Sequence, residues 1–399
     1  MINNFNLDKT YQFLLILLAF LMPLTVFGGN LIIVIICVLW LFSGNYKSKF
    51  DLIINNKLML ASIVFFCLHV IGLLWTEDLA WGLHIVHKMW YFIGLFPILY
   101  TIVRKDYISH YISAFLLAIS ITEVCSYLVW FEVIEPFKNA TVSNPTPFMS
   151  HISYNPILAF AIYLVLHEIF FNKKITNLVF ALYSFFAISM TINMFITGGR
   201  AGQVMCFAML AIIIFQFFNT QKIKALFLIS FLIPGIFFTA YQASDLFQER
   251  VDAAVKNSLF YSENKASSVG LRITFALNSW EAIKKNPIIG VGTGDFPIEY
   301  KKINKINTPG LTNTTNPHNM YTLVAMELGA LGVISMLSIF YYQIRLSFNS
   351  SNKFIRDVGI TLPLLFLVIM WSDSYLLGHY TTLMFVFFSS FLYKDFEKF

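Results

Sequence analysis

Apolar stretches long enough to cross a bilayer recur along the whole of this chain, and a water-soluble core cannot absorb that many of them. "LLILLAFLMPLTVF" from Leu14, "LIIVIICVLWLF" from Leu31 and "VISMLSIFYY" from Val333 lie within three such stretches. Within lipid, every backbone N–H and C=O must be satisfied inside the chain, which leaves helices or closed barrels. The short alternating segments and frequent turn signals of a barrel are absent, so helices are expected. Composition agrees: 12% of the residues are charged, against about 25% in a soluble globular chain. The expected fold class is an all-α polytopic membrane protein.

Twelve spans are predicted, at about 11–27, 29–43, 58–76, 82–103, 107–131, 153–171, 176–197, 201–218, 224–242, 317–344, 357–372 and 375–393. Short connectors rich in Lys and Arg alternate with short connectors almost free of them. One side carries fifteen basic residues, from Lys9 and Lys47 to Arg345, Lys353, Arg356, Lys394 and Lys398, while the short connectors opposite carry only Lys138 and Arg200. The positive-inside rule puts both termini in the cytoplasm. The net charge of +6 follows from that bias and calls for no nucleic acid. The first apolar stretch is followed at once by a second and reads as a retained span rather than a cleaved leader. The four cysteines lie in apolar runs without Cys-x-x-Cys spacing and read as small buried hydrophobes.

Three regions follow from this layout. Residues 1–242 hold nine spans with short loops and a small outer loop near 132–152, residues 243–316 form a large outer loop, and residues 317–399 hold the last three spans. Long loops cross regardless of charge, so the basic residues of the large one do not disturb the topology. Its stretch "SSVGLRITFALNSWEAIKKN" predicts an amphipathic helix on or near the outer surface. Ser267 or Ser268 would cap it, with Leu271, Phe275, Trp280 and Ala282 at near-helical spacing.

The residues able to carry chemistry gather on the outer side. In "NPHNMYTLVAMELGALG", Asn316 and Pro317 read as cap and first position of a helix, which puts His318 and Asn319 in its first turn. Such a terminus attracts anions and favours a neutral imidazole. On a continuous helix Gly329 and Gly332 would fall on the His318 stripe and let a second helix approach closely. Glu327 is costly at membrane depth and must have a partner. "TGGRAGQ" places Arg200 among Gly198, Gly199 and Gly202 in a very short outer connector, where a guanidinium can grip phosphate oxygens. Arg272 sits in the first turn of the loop helix. Lys88, near the outer end of the fourth span, either snorkels or faces an anion, and His151 stands where the chain re-enters the membrane after the small outer loop. "GVGTGDF" fails both phosphate-loop fingerprints and reads as a tight turn returning the large loop to the membrane.

"NPIIGVGTGDF", "HNMYTLVAMELGALG" and "TGGRAG" together resemble the O-antigen ligase and polymerase superfamily of bacterial envelope proteins. His318, Asn319, Gly329 and Gly332 match the ligase pattern His-[Asn/Ser/Gln]-x9-Gly-x-x-[Gly/Thr/Tyr], and the span layout fits over most of the chain. The resemblance implies a GT-C-like glycosyltransferase of the bacterial inner membrane whose site faces the periplasm. It implies inverting transfer without metal or other cofactor, from a glycan on undecaprenyl pyrophosphate to a sugar hydroxyl of the lipid A–core. His318, Arg200 and Arg272 would be catalytic, and Lys88, Asn319 and His151 would bind substrate. His318 would either take the acceptor proton or orient the donor. A polymerase and a protein O-oligosaccharyltransferase of the same superfamily are alternatives, and a lipid-linked glycan transporter is the non-enzymatic one. A transporter would carry paired broken helices and mid-membrane charges, of which the chain has few, Glu123 and Glu327 among them.

Overall fold

A computed structural model of the chain describes residues 4–138 and 140–396; Lys398, counted above on the basic side, lies outside them. The chain is helical throughout, with no β-strand among the described residues. Eight of the described helices are long and apolar enough to cross a membrane, or nine if Val26–Phe42 and Tyr46–Ile54, bent by 116°, are taken as one broken span. The remaining predicted spans correspond to helices that are shorter or more polar. Lys353–Ile369 has 17 residues and begins with Lys353, Arg356 and Asp357, and His379–Leu392 has 14. Asn4–Leu21 begins with two polar turns. Apolar composition marks where these segments lie, and capping residues and turns shorten them.

The described chain divides into two compact units. One comprises Met1–Tyr11, Ile33–Lys105 and Ala254–Phe399, the other Gln12–Ile32 and Asp106–Ala253.

In the first unit, the helix Met320–Phe348 packs on Lys57–Gly72. The latter starts where it does because Asn56 Oδ1 accepts from the N–H groups of Leu58 and Met59. Met320–Phe348 is broken inside: Gly329 has φ +62° and ψ −156°. A break there strips Met326 and Glu327 of their carbonyl partners and Ala330 and Leu331 of their N–H partners. The loop at 286–292 replaces all four. Val291 N donates to Met326 O (2.9 Å) and Gly292 N to Glu327 O (3.0 Å), while Ala330 N and Leu331 N donate to Pro287 O (2.8 Å) and Ile288 O (3.2 Å). Each group left bare in hydrocarbon would cost several kcal/mol, so helix and loop depend on one another.

The two backbones touch so closely that a Cβ on Gly329 would lie 2.3 Å from Ile288 C, and one on Gly290 2.3 Å from Glu327 C. The uninterrupted stripe expected for His318, Gly329 and Gly332 is therefore overturned. Gly329 admits a loop backbone at a helix break, and the rotation per residue of a continuous helix does not carry across it.

The same loop ties down other elements of this unit. Asp295, almost fully buried, accepts from Thr76 Oγ1 (2.7 Å) and from the N–H groups of Glu77 (2.7 Å) and Asp78 (2.9 Å). Thr293 Oγ1 donates to His69 O (2.8 Å). Glu327 is buried against the N–H groups of Gly294 and Phe296, while among the described residues its Oε1 has no hydrogen-bond partner.

The stretch after the ninth predicted span contains three helices: Asp245–Leu259, Ser268–Lys285 and Phe296–Asn307. Ser267 caps the second by accepting from Gly270 N (3.0 Å). Phe275 and Ala282 of that helix join Phe296, Tyr300 and Ile303 of the next, and Leu323 and Met326, in one apolar cluster. Trp280 does not belong to this face: it is 56% exposed. Five positions from Phe275, it is turned about 140° around the helix.

In the second unit, His151–Phe171 is the most deeply packed span and lies against Arg200–Phe217. Gly202 sets their separation, since a Cβ there would fall 2.1 Å from Asn155 Cβ.

Candidate functional site

His318 stands just ahead of the helix Met320–Phe348, not in its first turn. Asn319 is the N-cap, its Oδ1 accepting from Thr322 N (3.0 Å). The cap expected at Asn316 is thus displaced by three residues. Asn316 instead folds the approach: its Oδ1 accepts from His318 N (3.0 Å), a turn that holds His318 at φ +52°. A non-glycine residue in the left-handed region is strained, and here the surrounding bonds enforce it.

Those bonds come from Asp373 and Ser374. Asp373 Oδ2 lies 3.2 Å from His318 Nδ1, and Asp373 Oδ1 accepts from Asn316 Nδ2 (2.9 Å) and Ser374 N (2.7 Å). Ser374 Oγ closes the ring by donating to Asn316 Oδ1 (2.9 Å). Burial pushes the Asp373 carboxyl up, but the hydrogen bond and charge of His318, with the bonds from Ser374 and Asn316, hold it below its ordinary 3.8. An ionised carboxylate only accepts, so it fixes the proton of a neutral imidazole on Nδ1 and turns the Nε2 lone pair outward. The imidazole stacks on Phe275, ring centroids 6.3 Å apart, and its side chain is 36% exposed.

Arg272 is one turn before Phe275 on the same helix and acts electrostatically on Tyr375, two residues after Asp373. His318, Asn319 and Arg272 are thereby brought together in the first unit. Lys88 belongs to the same unit, at the end of Leu79–Lys88, where its charge acts on His84.

A second polar constellation lies in the second unit, around the turn that leads into Arg200–Phe217. Asn144 Oδ1 accepts from Gly198 N (2.9 Å), and Asn144 Nδ2 lies 2.9 Å from His151 Nδ1. Asn155 Nδ2 donates to Gly199 O (3.3 Å), and Thr197 Oγ1 donates to Asn155 Oδ1 (2.9 Å). A Cβ on Gly199 would sit 2.6 Å from Asn155 Nδ2 and 2.8 Å from His151 O, so the turn needs glycine for room. His151 and Arg200 are thus fastened to one turn. Arg250 reaches it as well: a Cβ on Gly198 would be 3.6 Å from its guanidinium.

Phe247, one turn ahead of Arg250, packs on Phe195 and Phe237 and anchors that helix. Next to the turn lies an apolar cavity of 690 Å³ between Asn177–Ile196 and Lys222–Ala243, lined by Ile192, Phe195, Ile196, Phe231 and Ile236 and ending at Ser244. Lys222–Ala243 buries only Ala225 and Ala240, so one wall of the cavity is a helix with most of its surface open.

Two participants were not foreseen from sequence. Asp373 lies 55 positions from His318 in a run, "WSDSY", with no signature of its own. Arg250 occupies an amphipathic helix where an arginine reads as a solvated charge.

A search of the curated proteins finds no match to this chain. A family model described as O-antigen ligase matches residues 185–337. That span takes in Arg200, Arg272, the 286–295 loop, His318 and the broken helix through Gly332, while Lys88, His151 and Asp373 fall outside it. Over those residues, which make up less than half of the chain, the protein is similar to the O-antigen ligase family, and the multi-pass helical fold around them is consistent with that similarity.

Proposed function

We propose that this protein is an O-antigen ligase. It would transfer a glycan from undecaprenyl pyrophosphate to a sugar hydroxyl of the lipid A–core, at the periplasmic face of the bacterial inner membrane. The observation that carries the reading is the His318–Asp373 pair, which leaves Nε2 as a lone-pair acceptor at an exposed helix mouth. In this mechanism Nε2 takes the proton of the acceptor hydroxyl. The freed oxygen attacks the anomeric carbon from the face opposite the pyrophosphate, and the bond from that carbon to the phosphate oxygen breaks with its electron pair. One displacement inverts the anomeric centre.

The departing pyrophosphate needs positive charge, and Arg272 beside the His318 cluster is a source of it. Arg200, with Arg250 near the same glycine turn, is a second basic group suited to phosphate. The apolar cavity beside that turn supports a donor with a long hydrocarbon tail. Asn319, His151 and Lys88 serve in substrate binding in this reading.

Purified protein in liposomes, supplied with lipid-linked glycan and lipid A–core, is expected to form a new glycosidic bond with inverted configuration. Movement of the lipid-linked glycan across the bilayer without any new bond would overturn the enzyme reading in favour of a transporter. In cells, loss of the gene is expected to leave long glycans on the lipid carrier and bare core. Single-repeat glycan still attached to core would identify a polymerase instead.

A further inference from the structure

We propose that the first unit holds a second lipid site, remote from the chemistry, which takes the phosphate head group of an anionic phospholipid from the basic face of the membrane. The site is a pocket of 310 Å³ where the ends of several helices meet. Lys57 opens Lys57–Gly72, Tyr100 lies in Phe96–Ile102, Arg345 is in the last turn of Met320–Phe348, and Tyr393 follows His379–Leu392. The pocket therefore sits at the level where membrane helices stop, on the side that the charge bias assigns to the cytoplasm.

Its lining suits an amphiphile's head. Lys57 and Arg345 contribute positive charge, Asn349 contributes an amide, and Leu52 and Leu346 contribute apolar wall. Among the described residues the Lys57 ammonium has no hydrogen-bond or ion-pair partner, and the Arg345 guanidinium has a single long bond to Tyr341 Oη (3.4 Å), so both cations remain available. The lining holds one carboxylate, Asp395. A third cation, Lys394, lies behind the wall, 5.6 Å from the centre of the Tyr100 ring, with its ammonium donating to Thr101 O and Val103 O. The pocket is thus a positive recess with tyrosine and leucine walls.

The element beside it argues for a lipid rather than a soluble anion. Tyr46–Ile54 turns 116° away from Val26–Phe42 and supplies Leu52 and Asn55 to the pocket. It carries Lys47 and Lys49, and it exposes Phe50 (55%) and Ile54 (53%). A short helix with basic and apolar side chains, turned sharply off a span, lies in the interface at head-group depth. Two basic groups near an anionic membrane surface contribute roughly thirtyfold together to lipid retention.

The test uses full-length protein reconstituted with phosphatidylglycerol or with phosphatidylcholine, and counts lipids retained through native mass spectrometry. Retention of phosphatidylglycerol over phosphatidylcholine is expected, falling roughly thirtyfold in a Lys57→Gln, Arg345→Gln double variant. Both side chains are exposed at helix ends, so the variant is expected to keep the wild-type melting temperature. As an arm independent of that variant, a phosphatidylglycerol with a photoreactive head group is expected to label the peptides carrying Tyr342 and Asn349. Equal retention of both lipids, undiminished retention by the double variant or labelling elsewhere would overturn the proposal. Displacement of the lipid by inorganic phosphate or glycerol phosphate at equal concentration would overturn it too, because the pocket would then be a soluble-anion site.

Discussion

The two polar constellations are built on different physical principles. Around His318, a carboxylate, an imidazole, an amide and a hydroxyl converge from segments more than fifty residues apart, and a strained backbone is held by the charge of Asp373. Around Arg200, neutral amides hold a turn whose shape is set by space, since Gly199 and Gly202 lie where any side chain would collide with Asn155. The first arrangement is electrostatic and should respond to charge and pH. The second is steric and should respond to volume. The phosphate role proposed for Arg200 is compatible with the second kind: a guanidinium always carries its charge, and the protein has only to keep it in place.

The sharpest break in this comparison is expected from His318→Ala. In the role proposed for His318, its removal lowers the transfer rate about 10²–10⁴-fold, while loss of the partner of Asp373 lowers the melting temperature only slightly because the imidazole is partly exposed. A rate within a few-fold of wild type, measured with purified protein and lipid-linked donor, would remove His318 from the chemistry. On the steric side, Gly202→Ala places a methyl 2.1 Å from Asn155 Cβ and 2.6 Å from its carbonyl carbon. Overpacking of this kind costs about 1–3 kcal/mol or more. The expected result is a lowered melting temperature in detergent with activity lost in proportion to folded protein. Unchanged stability would mean that the two helices separate easily and that the turn is not held by volume.

How much of this was legible in the sequence depends on how local the cause is. Apolar runs announce helices because their signal lies within the helix itself, and the pair Ser267 and Ser268 announces a cap that the structure assigns to Ser267. His318, Arg200 and Arg272 were legible as candidates because basic residues flanked by glycine, proline and amides stand out at the ends of apolar runs. The break at Gly329 was not legible: "AMELGALG" reads as uninterrupted helix, and only the 286–292 loop, some forty positions earlier, makes a left-handed residue there affordable. The start of that helix was misread for a similar reason. Asn316 and Asn319 are equally good caps by composition, and the choice was made by Asp373 and Ser374, which draw Asn316 away. Pairings across fifty residues leave no trace in a local pattern.

Asp373→Asn tests the electrostatic side directly. Asparagine keeps the shape but removes the charge and the preference for a proton on Nδ1, so the rate should fall about tenfold or more even where folding is intact. The sign of the pH effect follows from the direction of the shift. A carboxyl held below 3.8 contributes stability that is fully present above that value and is lost as pH falls through its lower folded value. Wild type should therefore show no loss from this group between pH 5 and 7, and a loss of stability that begins only below about 4. The Asn variant should lack that acid-side dependence. Unfolding curves across pH, recorded for both proteins, check it; identical acid limbs would mean that Asp373 is not coupled to folding.

The smallest expected effect comes from Arg250→Ala, and it asks whether the steric constellation also binds charge. Arg250 approaches Gly198 from a helix outside the turn, so its loss removes one cation without altering the bonds of Asn144 or Asn155. If it serves only to hold phosphate in both ground and transition state, KM for the lipid-linked donor should rise about five- to tenfold with kcat unchanged. Arg250→Lys should recover part of that affinity, because a point charge replaces the fork, and the effect should weaken as salt is raised. A fall in kcat at constant KM would place Arg250 with the groups that act on the leaving pyrophosphate, and the division between a charged and a steric constellation would then no longer hold.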